Sequence, residues 1–493
     1  MRSRQSAAVR GLLPVLRVLG LLLMLFSSTY LLPIACALWY GDGQLWNFVA
    51  SMAVNSAVGA ALWLLTRGAK RDIQPREGFL LVAMTWLLMS VTATLPLMVG
   101  IPGLSFTDAL FETVSGITTT GGTVLVGLDT LAPSLNLWRH TLSWIGGMGI
   151  IVLAVAILPL LGVGGMQLYK TETPGPIKDD KLTPRITQTA KSLWMVYFSA
   201  TVLCTIAYRM AGMSWFDAIC HSFSTLSLGG ASTHDASFGY FNSPAIEAVA
   251  MFFMLFATIN FATHFQAWRA ASLKSYWQDA EAKAVLLVLT LSIIAVSLFL
   301  WGEGVYHEFT TALRYVAFNL VSIASTTGYA STDYNLWPLF APLVLLLLSC
   351  VVSSSGSTGG GIKMIRLLLL FKQSRSEMFA LMHPNAVNVV KLGGRPIPQK
   401  VITAVLGFIH LYSISVLTLT FVLLATGLDF MTAFSAVIAS INNMGPGLNL
   451  VGPASNFSVL SDFQTWVCTF AMLLGRLEIF TVFVILTPSF WRD

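Results

Sequence analysis

Val114 to Thr123 reads V-S-G-I-T-T-T-G-G-T, a run of small, hydroxylated and glycine residues set between two apolar segments. Such residues cannot cover a hydrophobic surface. At membrane depth their backbone must face protein or an ion-filled cavity, because lipid cannot satisfy irregular peptide groups. That combination describes a pore loop, and a pore needs several of them.

The surroundings are those of a polytopic membrane protein. The 493-residue chain is 55% hydrophobic and only 10% charged, with a mean hydropathy of +0.74, whereas soluble domains carry roughly 25% charged residues. Apolar runs near 18–39, 47–66, 79–99, 138–161, 193–211, 245–265, 284–301, 336–371, 401–426 and 463–487 give ten spanning candidates. The connections between them are too short for a soluble domain. Arg2, Arg4, Arg10 and Arg17 before an apolar run ending Ala35-Cys36-Ala37 resemble a signal peptide, but the run exceeds a signal core of about 7–15 residues and reads as a first transmembrane helix. Cys36, Cys204, Cys220, Cys350 and Cys468 have no paired spacing and suggest neither disulfides nor zinc.

Basic residues cluster in alternate connections: the N-terminus, Arg67 to Arg76, Lys170 to Lys191, Arg269 to Lys283, Lys363 to Lys400, and Arg492. The positive-inside rule makes these connections, and both termini, cytoplasmic. The net charge of +6 is thus a topology signal, not a nucleic-acid footprint.

The opposite connections align without gaps. They read D-A-L-F-E-T-V-S-G-I-T-T-T-G-G (Asp108–Gly122), D-A-I-C-H-S-F-S-T-L-S-L-G-G-A (Asp217–Ala231), Y-V-A-F-N-L-V-S-I-A-S-T-T-G-Y (Tyr315–Tyr329) and T-A-F-S-A-V-I-A-S-I-N-N-M-G-P (Thr432–Pro446). Gly121, Gly230, Gly328 and Gly445 coincide. Six residues upstream stand Ser115, Ser224, Ser322 and Ala439; three upstream stand Thr118, Ser227, Ser325 and Asn442. A period of about one hundred residues, each containing helix, short helix, turn and helix, is an internal repeat. The expected organisation is an N-terminal two-helix extension (1–70) and four repeats (71–185, 186–275, 276–395 and 396–493), the third with a broken second helix.

An ion crossing a bilayer must exchange its water shell for oxygens of comparable field, which rings of backbone carbonyls provide. The turn that aims a carbonyl at the axis needs backbone angles that glycine adopts freely. One glycine per repeat makes a four-fold ring from one chain. The half-spanning helix before each turn directs its C-terminal partial negative charge at a cation.

The motifs T-T-T-G-G, L-G-G-A-S-T-H-D, S-T-T-G-Y and N-N-M-G-P-G-L resemble those of the Trk/Ktr/HKT superfamily of potassium transporters, in its TrkH-type branch, over the whole chain. The resemblance implies an all-α membrane fold of four M1-P-M2 units around one pore, a homodimer, and K+ as the transported ion, with no organic cofactor in this chain. It places the filter at Thr119, Thr120, Gly121, Gly229, Gly230, Thr327, Gly328, Met444 and Gly445. Some plant relatives with serine in the first loop pass sodium, so Gly121 favours potassium. A sodium-conducting or weakly selective transporter of the same fold is the alternative. Ala231 stands where the second loop should carry an aromatic residue, so the wall there is expected to pack differently. The resemblance also implies a bacterial inner-membrane location and a cytosolic TrkA-type nucleotide-binding subunit, docking on segments such as Lys170–Lys191 and Lys372–Lys400; the chain itself has no G-x-G-x-x-G.

The eighth apolar run is interrupted by Ser353-Ser354-Ser355-Gly356-Ser357-Thr358-Gly359-Gly360-Gly361. At a cost near 1 kcal/mol per glycine this is not stable helix, and within a span it belongs where it lines a cavity. A cytoplasmic linker is the competing assignment. A phosphate-binding loop fails because the lysine does not directly follow the last glycine and no Ser or Thr follows it. In the family this position forms an intramembrane gate, expected here from Ser355, Gly356, Ser357, Thr358, Gly359, Gly360 and Gly361 together with Arg476. An arginine inside the last span is a functional candidate because its burial is costly; a structural ion pair is the alternative, and Glu478, two residues on, points to a different helix face. Asp235 and Asp333 follow the second and third turns and are candidates for concentrating cations at the mouth. His221 reads as a packed histidine. A polytopic membrane enzyme would need clustered His, Asp, Glu or Cys on neighbouring spans, and the sequence offers no such cluster.

Overall fold

The computed structural model describes residues 2–68, 73–149, 186–385 and 389–491. Among these, six helices are long and apolar enough to cross a membrane: Leu12–Tyr40, Leu45–Thr66, Arg76–Gly100, Ala190–Ala211, Ala280–Gly302 and Gln399–Ala425. The second half of the span expected at 138–161, and the basic segment from Lys170 to Arg185, lie outside the described residues.

Four units repeat the order outer helix, pore helix, filter turn, inner helix. The pore helices are Phe106–Ile117, Trp215–Ser227, Phe309–Ala324 and Phe430–Ile441. The shortest has 12 residues, about 18 Å at 1.5 Å per residue, enough for half of a hydrocarbon core near 30 Å. Three start at a sequence-encoded cap: the Ser105 and Ser214 hydroxyls accept the N–H of Asp108 and Asp217, and the Asp429 carboxylate accepts that of Thr432.

Among the described residues, the inner helices of repeats 2, 3 and 4 are interrupted. The sequence marks a break in repeat 3, between Phe340–Ser349 and Met364–Met382. Two further breaks occur without any glycine run: Pro244–Thr258 and Phe261–Ala270 meet at 96°, and Asp462–Arg476 and Ile479–Leu486 at 109°. At the first, the Asn260 carboxamide accepts the Ala262 N–H and starts a new helix. At the second, Glu478 adopts a left-handed φ of +55°. A single side-chain cap or one αL residue therefore ends an inner helix as effectively as nine small residues do.

The inner helices approach the pore helices closely because glycine faces them. A Cβ on Gly146 would collide with the carbonyl of Ile117, and one on Gly475 with that of Ile441. Each acceptor is the last residue of a pore helix.

Residues 2–66 form the expected hairpin beside repeat 1. Its helices cross at Gly20 and Gly59, where an added Cβ would stand 2.7 Å and 2.8 Å from the other glycine's carbonyl oxygen. Close approach of small residues is how helices associate where no hydrophobic force separates them from lipid. Asn55 adds hydrogen bonds to Leu23 O at 3.1 Å and Ser27 Oγ at 2.8 Å. Gly59→Val is expected to destabilise the protein by about 1–3 kcal/mol through overpacking, read as a lower midpoint of thermal unfolding in detergent, whereas Ala57→Val on the exposed face of the same helix leaves the midpoint unchanged.

Candidate functional site: a ring of four loops and the loop beneath it

Each pore helix ends in the same tightened turn. The N–H one residue before the aligned glycine returns to the carbonyl six residues before it: Thr120 to Ser115 at 2.7 Å, and Gly229 to Ser224, Thr327 to Ser322 and Met444 to Ala439, each at 2.8 Å. The turn places two residues per loop at positive φ in one register: Thr119 and Gly121, Leu228 and Gly230, Thr326 and Gly328, Asn443 and Gly445. A backbone that repeats this pattern in all four loops is the geometry a carbonyl-lined ion filter needs. Positive φ is a steric outlier for β-branched Thr119 and Thr326. Strain of this kind persists where the surrounding structure imposes it.

The four loops meet in cyclic order. A Cβ on Gly121 would strike the carbonyl of Gly229; on Gly230, that of Thr327; on Gly328, that of Met444; and on Gly445, 2.9 Å away, that of Thr120. Each glycine thus touches the residue preceding the next glycine, and the fourth returns to the first. Eight of the nine expected filter residues make these contacts, and Thr119 lies in the turn just before them.

The wall behind the ring was only partly visible in sequence. Ser115 donates to Gly122 O at 2.6 Å and Ser322 to Tyr329 O at 2.8 Å, pinning the carbonyl after the glycine in repeats 1 and 3. Ser224 instead contacts His140 Nδ1 at 2.6 Å, and Ala439 offers no hydroxyl. The residue at the fifth aligned position holds the strand leaving the filter. Glu112 accepts the Val124 N–H at 2.7 Å, His221 Nε2 lies 3.0 Å from Ser232 Oγ, and Asn319 accepts the Ser331 N–H at 3.2 Å. In repeat 4 Ser435, one residue earlier, accepts the Leu448 N–H at 2.8 Å. His221 is therefore a packed brace.

Glu112 also pairs with Arg139 at 3.1 Å, both side chains nearly inaccessible, and Arg139 reaches Ser232 O of the second loop at 3.4 Å. Removing one member would leave an uncompensated buried charge. Tyr329, the residue of repeat 3 aligned with Ala231, is fully buried and donates to His221 O of the second pore helix at 3.1 Å.

Beneath the ring the interrupted segment of repeat 3 folds as a half-buried loop bordering a cavity of about 150 Å³. Ser355 N–H is bound by Glu281 at 3.0 Å, and Gly356 O accepts the Phe261 N–H at 3.1 Å. Ser357 donates to Ser354 O at 2.7 Å. Thr358 Oγ1 donates to Leu226 O at 3.0 Å and Gly360 N–H to Thr326 Oγ1 at 2.9 Å, docking the loop on the pore helix and filter turn above it. Gly359 O accepts from the Lys363 ammonium, and Gly361 takes φ +77°.

Arg476 crosses the same space. It donates to Thr358 O at 3.0 Å, to Gly147 O at 3.2 Å and to Gly146 O, joining repeat 4 to the loop and to the inner helix of repeat 1. Glu478 pairs instead with Arg366, at 3.0 Å. Lys363 corrects the sequence assignment: it is 5% exposed and belongs to this loop, not to a cytoplasmic connection. Charge alone could not separate it from the Lys372–Lys400 cluster.

At the opposite end, the mouth, Asp235 borders the cavity above the ring, and its carboxylate accepts the Gly127 and Leu128 N–H groups at 2.9 and 3.0 Å. Asp333 accepts the Asn335 N–H at 3.1 Å. Both carboxylates brace loops. Next to Asp235, His234 bonds to Asp129 through Nδ1 and lies 3.4 Å from Asp217 through Nε2, stacked 3.5 Å from the Tyr240 ring. Burial alone would lower its pKa, but the two carboxylates outweigh it and raise the pKa above the ordinary 6.5.

Residues 44–492 match the family model described as TrkH, cation transport protein. The chain is 48% identical over 480 residues to a Trk system potassium uptake protein TrkH of Halomonas elongata, covering 97% of this chain and 99% of that one. It is 45% identical to the protein of the same name from Escherichia coli K12, with the same coverage. The crystal structure of the potassium transporter TrkH from Vibrio parahaemolyticus superposes with a TM-score of 0.88 at 44% identity, over 98% of this chain and all of that one.

The mouth contact makes a prediction. A raised histidine pKa means the folded state prefers imidazolium, so the stability this contact contributes is complete below pH 6.5 and lost as pH rises through the raised value. The thermal midpoint should fall across that interval, and the fall should shrink in His234→Gln. Identical pH profiles for the two proteins would remove His234 as its cause.

Proposed function

Because the chain belongs to the TrkH family of cation transport proteins, we propose that it takes up potassium ions through the ring formed by its four filter loops. It is a multi-pass membrane protein whose activity is transport, not catalysis. The observation that carries this reading is the cyclic contact between each filter glycine and the carbonyl of the next loop. An ion leaving water for that ring exchanges hydration for carbonyl oxygens and for the C-terminal ends of four pore helices. The strained turns hold those oxygens in place before the ion arrives.

The loop from Ser355 to Gly361 acts as the gate. It lies directly beneath the filter turn, tied to it through Thr326, and Arg476 fixes it with a positive charge on the ion's route. Opening requires the loop to leave the axis. Asp235 and Asp333 keep negative charge near the mouth, where it attracts cations. By this reading the protein sits in a bacterial inner membrane with the mouth outside and both termini in the cytoplasm, forms a homodimer, and is controlled by a cytosolic TrkA-type nucleotide-binding subunit. Lys372–Lys400, on the gate side, is one surface for such a subunit.

Potassium-limited growth of a host lacking its own uptake systems tests the substrate. The native chain, supplied with a matching regulatory subunit, should restore growth. Gly121→Ser places a Cβ at φ +81° against Gly229 O and should lower the potassium-over-sodium preference by about tenfold, the equivalent of roughly 1.4 kcal/mol at one ring. Sodium flux without potassium preference in the native protein would instead favour the sodium-conducting alternative.

A further inference from the structure

Glu281 stands in the first turn of the outer helix of repeat 3, Ala280–Gly302, and is 7% exposed. A carboxylate there could simply serve its own helix N-terminus. That task falls to Asp279, whose Oδ1 accepts the N–H of Glu281 at 2.9 Å and of Ala282 at 3.2 Å. The Glu281 side chain turns to the gate loop instead. Its Oε1 accepts the Ser355 N–H at 3.0 Å and the Ile365 N–H at 3.0 Å.

One oxygen atom therefore joins the two ends of the loop. Between those ends lie Gly356, Gly359, Gly360 and Gly361, which lose more conformational freedom on being ordered than any other residue type. Such a segment keeps one shape only where its ends are fixed. The ties from Thr358 and Gly360 to Leu226 and Thr326 lie on the pore side and must break when the loop leaves the axis, while Arg476, Lys363 and Phe261 hold Thr358 O, Gly359 O and Gly356 O. The Glu281 contacts lie at its root. Both are made by one buried side-chain oxygen, where a lost hydrogen bond leaves the amides unpaired.

We propose that Glu281 is the positioning residue that latches the gate loop across the pore, by clamping the Ser355 and Ile365 amides on one carboxylate oxygen. The inference rests on that loop being the gate. It also connects the gate to the surface on its own side. Asp279 Oδ2 accepts the Thr263 hydroxyl at 2.8 Å, and the short helix Lys274–Gln278 just before it has no buried residue. A displacement of that exposed segment is transmitted through Asp279 to the backbone of the latch residue.

The test is potassium flux from proteoliposomes holding the full chain without any added subunit. Glu281→Ala should raise this unregulated flux by about tenfold, the population shift that loss of its two amide hydrogen bonds produces. Glu281→Gln keeps a neutral acceptor of the same shape and should fall between Ala and the native residue. The potassium-over-sodium ratio should stay native in both, since the filter is untouched. A variant lacking residues 357–360 is measured alongside and leaks if the loop is the gate, whatever holds it. If that variant leaks while both Glu281 variants match the native flux, the latch is wrong and the gate stands. If none leaks, the gate falls and the latch with it. Altered selectivity in the Glu281 variants would also overturn the latch, by showing general damage to the pore. Should Glu281→Ala not reach the membrane, the Gln variant alone decides: raised flux supports the latch and native flux rejects it.

Discussion

The molecule depends on four van der Waals contacts in which a glycine Cα rests against the carbonyl of the neighbouring loop. No side chain fits there, and left-handed φ at each position adds a second reason for glycine. The contacts run from repeat 1 to 2, 2 to 3, 3 to 4 and back to 1, so each loop is buttressed by the next. A ring of this kind has no weakest member that can relax alone. The same closure explains how strained residues such as Thr119 and Thr326 are tolerated, because a turn held on both sides cannot relieve its strain without opening the ring.

Four-fold geometry is reached with unequal chemistry. The brace behind the filter is a carboxylate in repeat 1, an imidazole in repeat 2, a carboxamide in repeat 3 and a hydroxyl in repeat 4. All make hydrogen bonds to the strand leaving the filter. Only the carboxylate brings a counterion, and Arg139 then ties the first loop to the second. Because the repeats share one chain, each wall can be tuned without changing the other three, which identical subunits could not do.

What was legible in sequence follows from this. Gly121, Gly230, Gly328 and Gly445 stood out because backbone geometry admits one residue type, and a requirement that narrow survives divergence between repeats. The interruption at Ser353–Gly361 stood out for the same reason, since nine residues without large side chains cannot hide in an apolar span. The breaks at Asn260 and Glu478 were invisible. Asn260 ends a helix by one capping contact, and Glu478 by one αL residue, and each composition is compatible with unbroken helix. Long-range pairings were equally hidden. Glu112 with Arg139, and Glu281 with Ser355 and Ile365, join residues whose proximity only the folded repeats create. Lys363 was misplaced because a basic residue beside a basic cluster carries no mark of its depth.

Two basic side chains beneath the filter impose the last constraint. Arg476 and Lys363 donate to Thr358 O and Gly359 O, adjacent carbonyls of the gate loop. Carbonyl oxygens are what a dehydrating cation seeks, and here Arg476 and Lys363 already occupy them. A potassium ion about 5 Å from a guanidinium pays roughly 3 kcal/mol at an effective dielectric near 20, so in the proposed gate Arg476 opposes an ion by charge beside the bulk of the loop. Moving the loop off the axis takes both carbonyls with it, and Arg476, held also by Gly146 and Gly147 of the inner helix of repeat 1, must then part from one set of acceptors. In the proposed gate, loop position and arginine position are therefore coupled: the bridge from Arg476 to repeat 1 is one of the contacts, beside that of Glu281, that opening has to break.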